Sequence, residues 1–134
     1  MDKTFIIQEY RKSPDYVKSP FRYAGGKFYA LKHIMPFIDC VPHDEYREPF
    51  VGGGSVFFAK KKVKYNWIND LETELIKVYQ AFSDKNIVNQ ISSRLVNEVA
   101  TRQRFNEVKD WQPTSALDEI YRTYYINRTS YCGI

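Results

Sequence analysis

Three consecutive glycines constrain this chain more than any other feature. Gly52-Gly53-Gly54 stand between two short apolar runs, in the stretch EYREPFVGGGSVFFAKKKVKYNWIND of residues 45–70. Tyr46 to Val51 reads as a strand, with Pro49 confining it to a place where one ladder hydrogen bond is missing. The glycines make a turn, Ser55 to Lys61 a short helix, and Lys64 to Asn69 a second strand. A strand–helix–strand order of this length predicts a parallel pair joined by a right-handed crossover, so the expected fold class is α/β.

Helical spacing surrounds this unit. Phe28, Leu31, Ile34, Met35 and Ile38 mark one helix, which Pro36 is expected to end or kink about one residue earlier. Leu71, Leu75, Val78, Tyr79 and Phe82 form a second stripe that begins directly after Asp70. Residues 87–111 read as a further helical stretch, closed by Pro113, and Ser115 with Asp118 forms a capping-box pattern ahead of Leu117, Ile120, Tyr121, Tyr124 and Tyr125. The expected organisation is a ragged leader over 1–18, an α/β portion over 19–84 and a helical portion over 85–134.

Composition excludes several classes. The 134 residues suffice for one core, and 43% hydrophobic and 16% aromatic content fit a folded chain. A net charge of +4 permits a nucleic-acid partner without requiring one. Cys40 and Cys132 stand far apart with no metal-ligand spacing, so no metal site is expected and reduced thiols in a cytoplasmic protein are the default. No stretch has the length and apolarity of a signal peptide or a membrane span.

A glycine turn after a strand admits close approach to main chain, and the following helix presents its free N–H groups there. An acid at the end of the next strand, here Asp70, can hold paired ribose hydroxyls, so the expected ligand carries an adenosine ribose. The pattern G-G-G-S is neither G-x-G-x-x-G nor a P-loop, which weighs against a dinucleotide and against ATP. The structural alternatives are a tight turn for the glycines and an ordinary helix N-cap for Asp70. A second glycine turn, FRYAGGK at residues 21–27, precedes the first helix. Lys60-Lys61-Lys62 with Lys64 reads as a solvated helix end, or as part of a DNA-facing surface.

SPFRYAGGK, YREPFVGGGSVFF, INDLETELIKVYQAF and YYINRTSYCGI, in this order, resemble the Dam-like DNA adenine methyltransferase family from about Ser19 to Ile134. That resemblance implies a Rossmann-like core, S-adenosylmethionine as cofactor, double-stranded DNA as partner, and methyl transfer to the exocyclic amine of adenine. It implies cofactor contacts from Tyr23, Ala24, Gly25 and Lys27 in the first turn. Glu48, Pro49 and Phe50, with Gly52, Gly53 and Gly54, match the family's cofactor loop, and Asp70 matches the acid that holds the ribose. Asn127, Arg128 and Tyr131 match the start of a DNA-entering hairpin, where an arginine pairs with phosphate and an aromatic fills the gap beside a flipped base. Tyr121, Tyr124 and Tyr125 are expected to be packing aromatics.

The resembling family's catalytic motif is Asp-Pro-Pro-Tyr or a close variant; no D-P-P-Y, N-P-P-Y or S-P-P-Y occurs here, so the resemblance implies no catalytic residue in this chain. Positioning of the attacking amine, worth about 7–11 kcal/mol in well-oriented reactions, is then missing. The expectation is a fragment, inactive alone, whose half-built sheet exposes edges that could self-associate. A non-catalytic DNA-binding or subunit-interaction module is the alternative from another class, and an unrelated Rossmann-type nucleotide enzyme is a third.

Overall fold

The parallel pair forms where the two apolar runs lie. In the computed structural model, which describes residues 16–131 and Gly133, β1 (Glu45–Glu48) pairs with β2 (Tyr65–Ile68) in register Glu45↔Tyr65 through Glu48↔Ile68. The ladder outlasts the strands: Asn69 N–H donates to Glu48 O at 2.9 Å and Val51 N–H to Asn69 O at 2.9 Å. Pro49 falls directly after β1, where its missing N–H ends regular pairing. The described residues form a mixed fold of six α-helices, one 3-10 turn and this small parallel sheet. They divide into two compact units, one ending at Leu71 and one starting at Glu72.

In the first unit a 3-10 turn (Lys27–Ala30) runs into α1 (Leu31–Asp39), and α2 (Ser55–Ala59) crosses between the strands. Leu31 and Met35, one turn apart, pack with Val56 and Ala59 as a buried cluster, and Phe28, Ile34, Ile38 and Tyr46 lie against it. Pro36 does not end the helix: α1 continues through it to Asp39, and Cys40 N–H bonds Pro36 O at 3.2 Å. The ring is exposed, and burial of Leu31 and Met35 on the other face offsets the one lost rung. The leader expected over 1–18 falls mostly outside the described residues; of its end, Val17 N–H donates to Phe58 O at 3.1 Å.

The second unit is helical: α3 (Thr73–Phe82), α4 (Lys85–Leu95), α5 (Arg102–Asp110) and α6 (Ala116–Thr129). Helix α3 starts at Thr73 rather than at Leu71, which is 87% exposed, and Glu72 rather than Asp70 occupies its N-cap. The stretch 87–111 is not one helix. Thr101 caps α5 by accepting Arg104 N–H at 3.0 Å, and Glu98, in the break, accepts Arg104 Nη2 at 2.7 Å and Nε at 3.0 Å. That cap and ion pair outweigh the helical spacing, and Val99 is left 70% exposed. Ser115 caps α6 as expected, accepting Asp118 N–H at 3.2 Å. Tyr121 and Tyr125 are buried, and Tyr124 meets Phe82 edge to face at 4.9 Å, so these three pack as expected. No helix among the described residues is long and apolar enough to cross a membrane.

Candidate functional site

The extended ladder delivers the glycine turn to the acid. Past Val51, the next main-chain donor is Gly52 N–H, and it bonds Asp70 Oδ2 at 2.8 Å. Asp70 therefore fastens the turn instead of capping α3. The turn closes with Gly54 N–H on Val51 O at 2.8 Å, and Phe58 N–H then bonds Gly54 O at 2.9 Å to begin α2.

The first glycine turn folds onto the second. Gly26 N–H bonds Tyr23 O at 3.1 Å, which turns the chain and lays the Tyr23 ring on Gly52 and Gly53. A Cβ on Gly53 would stand 2.8 Å from Tyr23 Cβ, and one on Gly52 3.0 Å from the ring, where Gly52 also has φ of +49°. The face offered at this turn is thus an aromatic ring, 38% exposed, seated on bare main chain. Ser19 pins the arrangement from outside, its hydroxyl donating to Gly53 O and accepting Phe21 N–H at 3.1 Å. Ala24 and Gly25 form the exposed tip of the first turn, and Pro49 and Phe50 are exposed on the second.

Lys27 ties the two turns together. Its Nζ donates to Phe50 O at 2.6 Å and lies 3.4 Å from Glu48 Oε1, with side-chain exposures of 41% and 8%. The other oxygen, Oε2, accepts the Tyr46 hydroxyl at 2.9 Å. Burial and the neighbouring Glu48 carboxylate push the Tyr46 phenol up, so it stays protonated and donating. Residue reading overlooked Tyr46 and Ser19. The signal for Tyr46 was its position two residues before Glu48, on the same strand face.

Lys60 corrects the expectation of a solvated lysine run. It is only 1% exposed; its Nζ donates to Lys61 O at 2.6 Å and lies 4.4 Å from the Tyr46 ring centroid. Burial pushes its ammonium down and Asp39 opposes that shift. Lys61, Lys62 and Lys64 are exposed on the helix-to-strand connection, Lys62 lying 3.8 Å from the Phe57 ring centroid and Lys64 5.0 Å from that of Tyr65.

In the helical unit Asn127 and Arg128 occupy the last turn of α6, and Tyr131 follows its C-cap, Ser130. Asn127 Nδ2 donates back to Gly133 O at 3.2 Å, Arg128 is half-buried, and Tyr131 is 92% exposed. Elsewhere in this unit Glu98, Arg104 and Tyr121 bond one another beside Trp111, lining a cleft of about 480 Å³. Burial, then the bond to Glu98, pushes Tyr121 up to about 12. Arg104 holds Glu98 below its ordinary value of 4.5, against the opposing effect of burial. The unfolded chain therefore takes up this proton first. The stabilisation is complete above the ordinary value and is lost as pH falls through the folded one. Glu98→Gln is expected to flatten that acid limb, read as the urea midpoint against pH.

The residues present fit S-adenosylmethionine. Glycines at positions 52 and 53 make room for an aromatic platform, an acid stands at the turn, and a lysine–glutamate pair offers both charges to an amino acid. Among the described residues no cluster suits a metal ion.

Known proteins match the chain along most of its length. It is 27% identical over 121 residues to type II methyltransferase M.CviBI of Paramecium bursaria Chlorella virus NC1A, covering 88% of this chain and 45% of that one. It is 25% identical over 128 residues to the DNA N-6-adenine-methyltransferase of Escherichia phage P1, covering 92% and 17%. It is 33% identical over 88 residues to type II methyltransferase M1.LlaDCHI of Lactococcus lactis subsp. cremoris, covering 65% and 28%. The chain spans less than half the length of each of these relatives. Residues 23–134 match the family model for D12 class N6 adenine-specific DNA methyltransferases, and with that match, over both glycine turns, Asp70 and the end of α6, the chain belongs to this family.

Proposed function

We propose that this chain carries the S-adenosylmethionine-binding part of a DNA adenine methyltransferase, on a Rossmann-like core, followed by the start of its DNA-recognition portion. The observation that carries the reading is the 2.8 Å bond from Gly52 N–H to Asp70 Oδ2, which joins the glycine turn to the strand-end acid. Oxygen sites on Asp70 accept the ribose hydroxyls. A carboxylate has about four such sites. Tyr23 supplies a ring face for the nucleoside, with Ala24, Gly25, Pro49 and Phe50 at its rim and Gly53 and Gly54 shaping the turn beneath. Glu48 takes the ammonium of the methionine end and Lys27 its carboxylate, since opposite charges complement a zwitterion.

When bound, this cofactor supplies an electrophilic methyl group on a sulfonium. The chain's residues bind and orient it. Asn127, Arg128 and Tyr131 contact DNA, for which the 92% exposure of Tyr131 speaks. The sequence holds no Asp-Pro-Pro-Tyr, so these 134 residues are assigned cofactor and DNA contacts but no transfer step.

Calorimetric titration of the 134-residue chain with S-adenosylmethionine tests the reading. Saturable heat is expected, and radiolabelled methyl should not pass to DNA. A folded chain that gives no heat removes the cofactor assignment. If that chain still shifts DNA in a gel, with affinity falling as salt rises, a binding module replaces it.

A further inference from the structure

We propose that Tyr46 is a positioning residue for Glu48: its hydroxyl holds Oε2 while Lys27 holds Oε1, which fixes the carboxylate for a ligand's ammonium group. The proposal rests on the reading of this turn as the S-adenosylmethionine site, and adds to it a residue that touches no ligand.

Three observations carry it. Glu48 is buried to 7% exposure, so each oxygen needs a partner, and the two oxygens have different ones: a phenol at 2.9 Å and an ammonium at 3.4 Å. The shorter bond is the phenol's, and hydrogen bonds to an ionised acceptor are the strong class. The Tyr46 ring is itself held. It packs against the cluster of Leu31, Met35, Val56 and Ala59, and the Lys60 ammonium lies 4.4 Å from its centroid. A cation at a ring face is attracted by the ring quadrupole, and it draws electron density from the phenol, which strengthens the O–H as a donor. Lys60 is buried in this position, 1% exposed, with its Nζ also donating to Lys61 O at 2.6 Å.

Lys27 alone would not fix the carboxylate. Its Nζ spends its short contact, 2.6 Å, on Phe50 O. With the phenol removed, Glu48 keeps, among the described residues, the longer ion pair to Lys27 and can turn about its terminal bond. A ligand that bonds the carboxylate then loses a prepared partner, and a ligand without an ammonium loses nothing.

Two ligands separate these cases. S-adenosylhomocysteine has the amino-acid end; 5′-methylthioadenosine has the same nucleoside without it. Tyr46→Phe keeps the ring and deletes one hydroxyl. Titrated into the full chain, Tyr46→Phe is expected to weaken S-adenosylhomocysteine about tenfold, the scale of one hydrogen bond to a charged group, and to leave methylthioadenosine unchanged. In a Glu48→Gln background the same substitution should change neither. Equal weakening of both ligands would make Tyr46 merely structural and overturn the proposal, as would unchanged binding of S-adenosylhomocysteine. If Tyr46→Phe loses its helical circular-dichroism signal, Lys60→Met decides. It keeps the phenol and should move the same ratio about threefold in the same direction; an unmoved ratio overturns the proposal. A wild-type chain that binds neither nucleoside fails at the underlying site instead, and takes this inference with it.

Discussion

Replacing Asp70 with alanine is expected to weaken S-adenosylmethionine binding about a hundredfold or more, and to loosen the turn that binds it. The two effects have separate causes. The first is loss of a charged acceptor for two ribose hydroxyls, each such bond worth about 1.5–3 kcal/mol. The second is loss of the acceptor for Gly52 N–H, in a turn whose three glycines are all buried. Stranding that donor costs about 1–3 kcal/mol of stability. Asp70→Asn separates them. Its amide oxygen still accepts Gly52 N–H, so the urea midpoint should return close to wild type, while affinity stays well below it because the charge is gone. If Asp70→Ala binds the cofactor as the wild type does, the acid serves only the turn.

Gly53→Ala is the second large effect, and its cause is steric. Gly53 is not among the glycines with positive φ, so alanine carries no backbone penalty there. Its Cβ would instead lie 2.8 Å from Tyr23 Cβ and 3.7 Å from Tyr23 Cγ. Tyr23 must move, and overpacking of this kind costs about 1–3 kcal/mol. The displaced atom is a Cβ, so the main chain of the first turn moves with it and the ring platform leaves Gly52. Urea denaturation should show the lost stability and calorimetry a fall in cofactor affinity of about tenfold or more. Tyr23→Ala leaves the clash in place and should not restore stability; Tyr23→Gly removes it and should. Restoration by Tyr23→Ala would mean that the ring, rather than the main chain, yields.

These expectations draw on different depths of legibility. That Asp70 and the glycines face each other was readable, because a parallel crossover of this length puts the ends of both strands on one edge. That the bare glycines carry a tyrosine of the chain itself was not. Residues 21–27 and 52–54 were each recognisable as turns, but nothing in either reports that one lies on the other. Pro36 and Val99 mislead for a related reason. Proline argues against helix and regular apolar spacing argues for it, yet burial of Leu31 and Met35 overrode the first, and the Thr101 cap with the Glu98–Arg104 pair overrode the second.

By itself the sequence determined the order strand, glycine turn, helix, strand, the helix cap at Ser115, and the family to which the chain belongs. Those are short-range or pattern-level properties: a side chain reaching an N–H a few residues on, or glycines where a Cβ has no room. Only the tertiary structure decided that Tyr23 covers Gly52 and Gly53, that Tyr46 and Lys27 divide the two oxygens of Glu48, and that Lys60 lies buried beside an aromatic ring. Partners far apart in the chain are chosen by packing, and a buried charge accepts whichever donor or ring face the packed elements bring within reach.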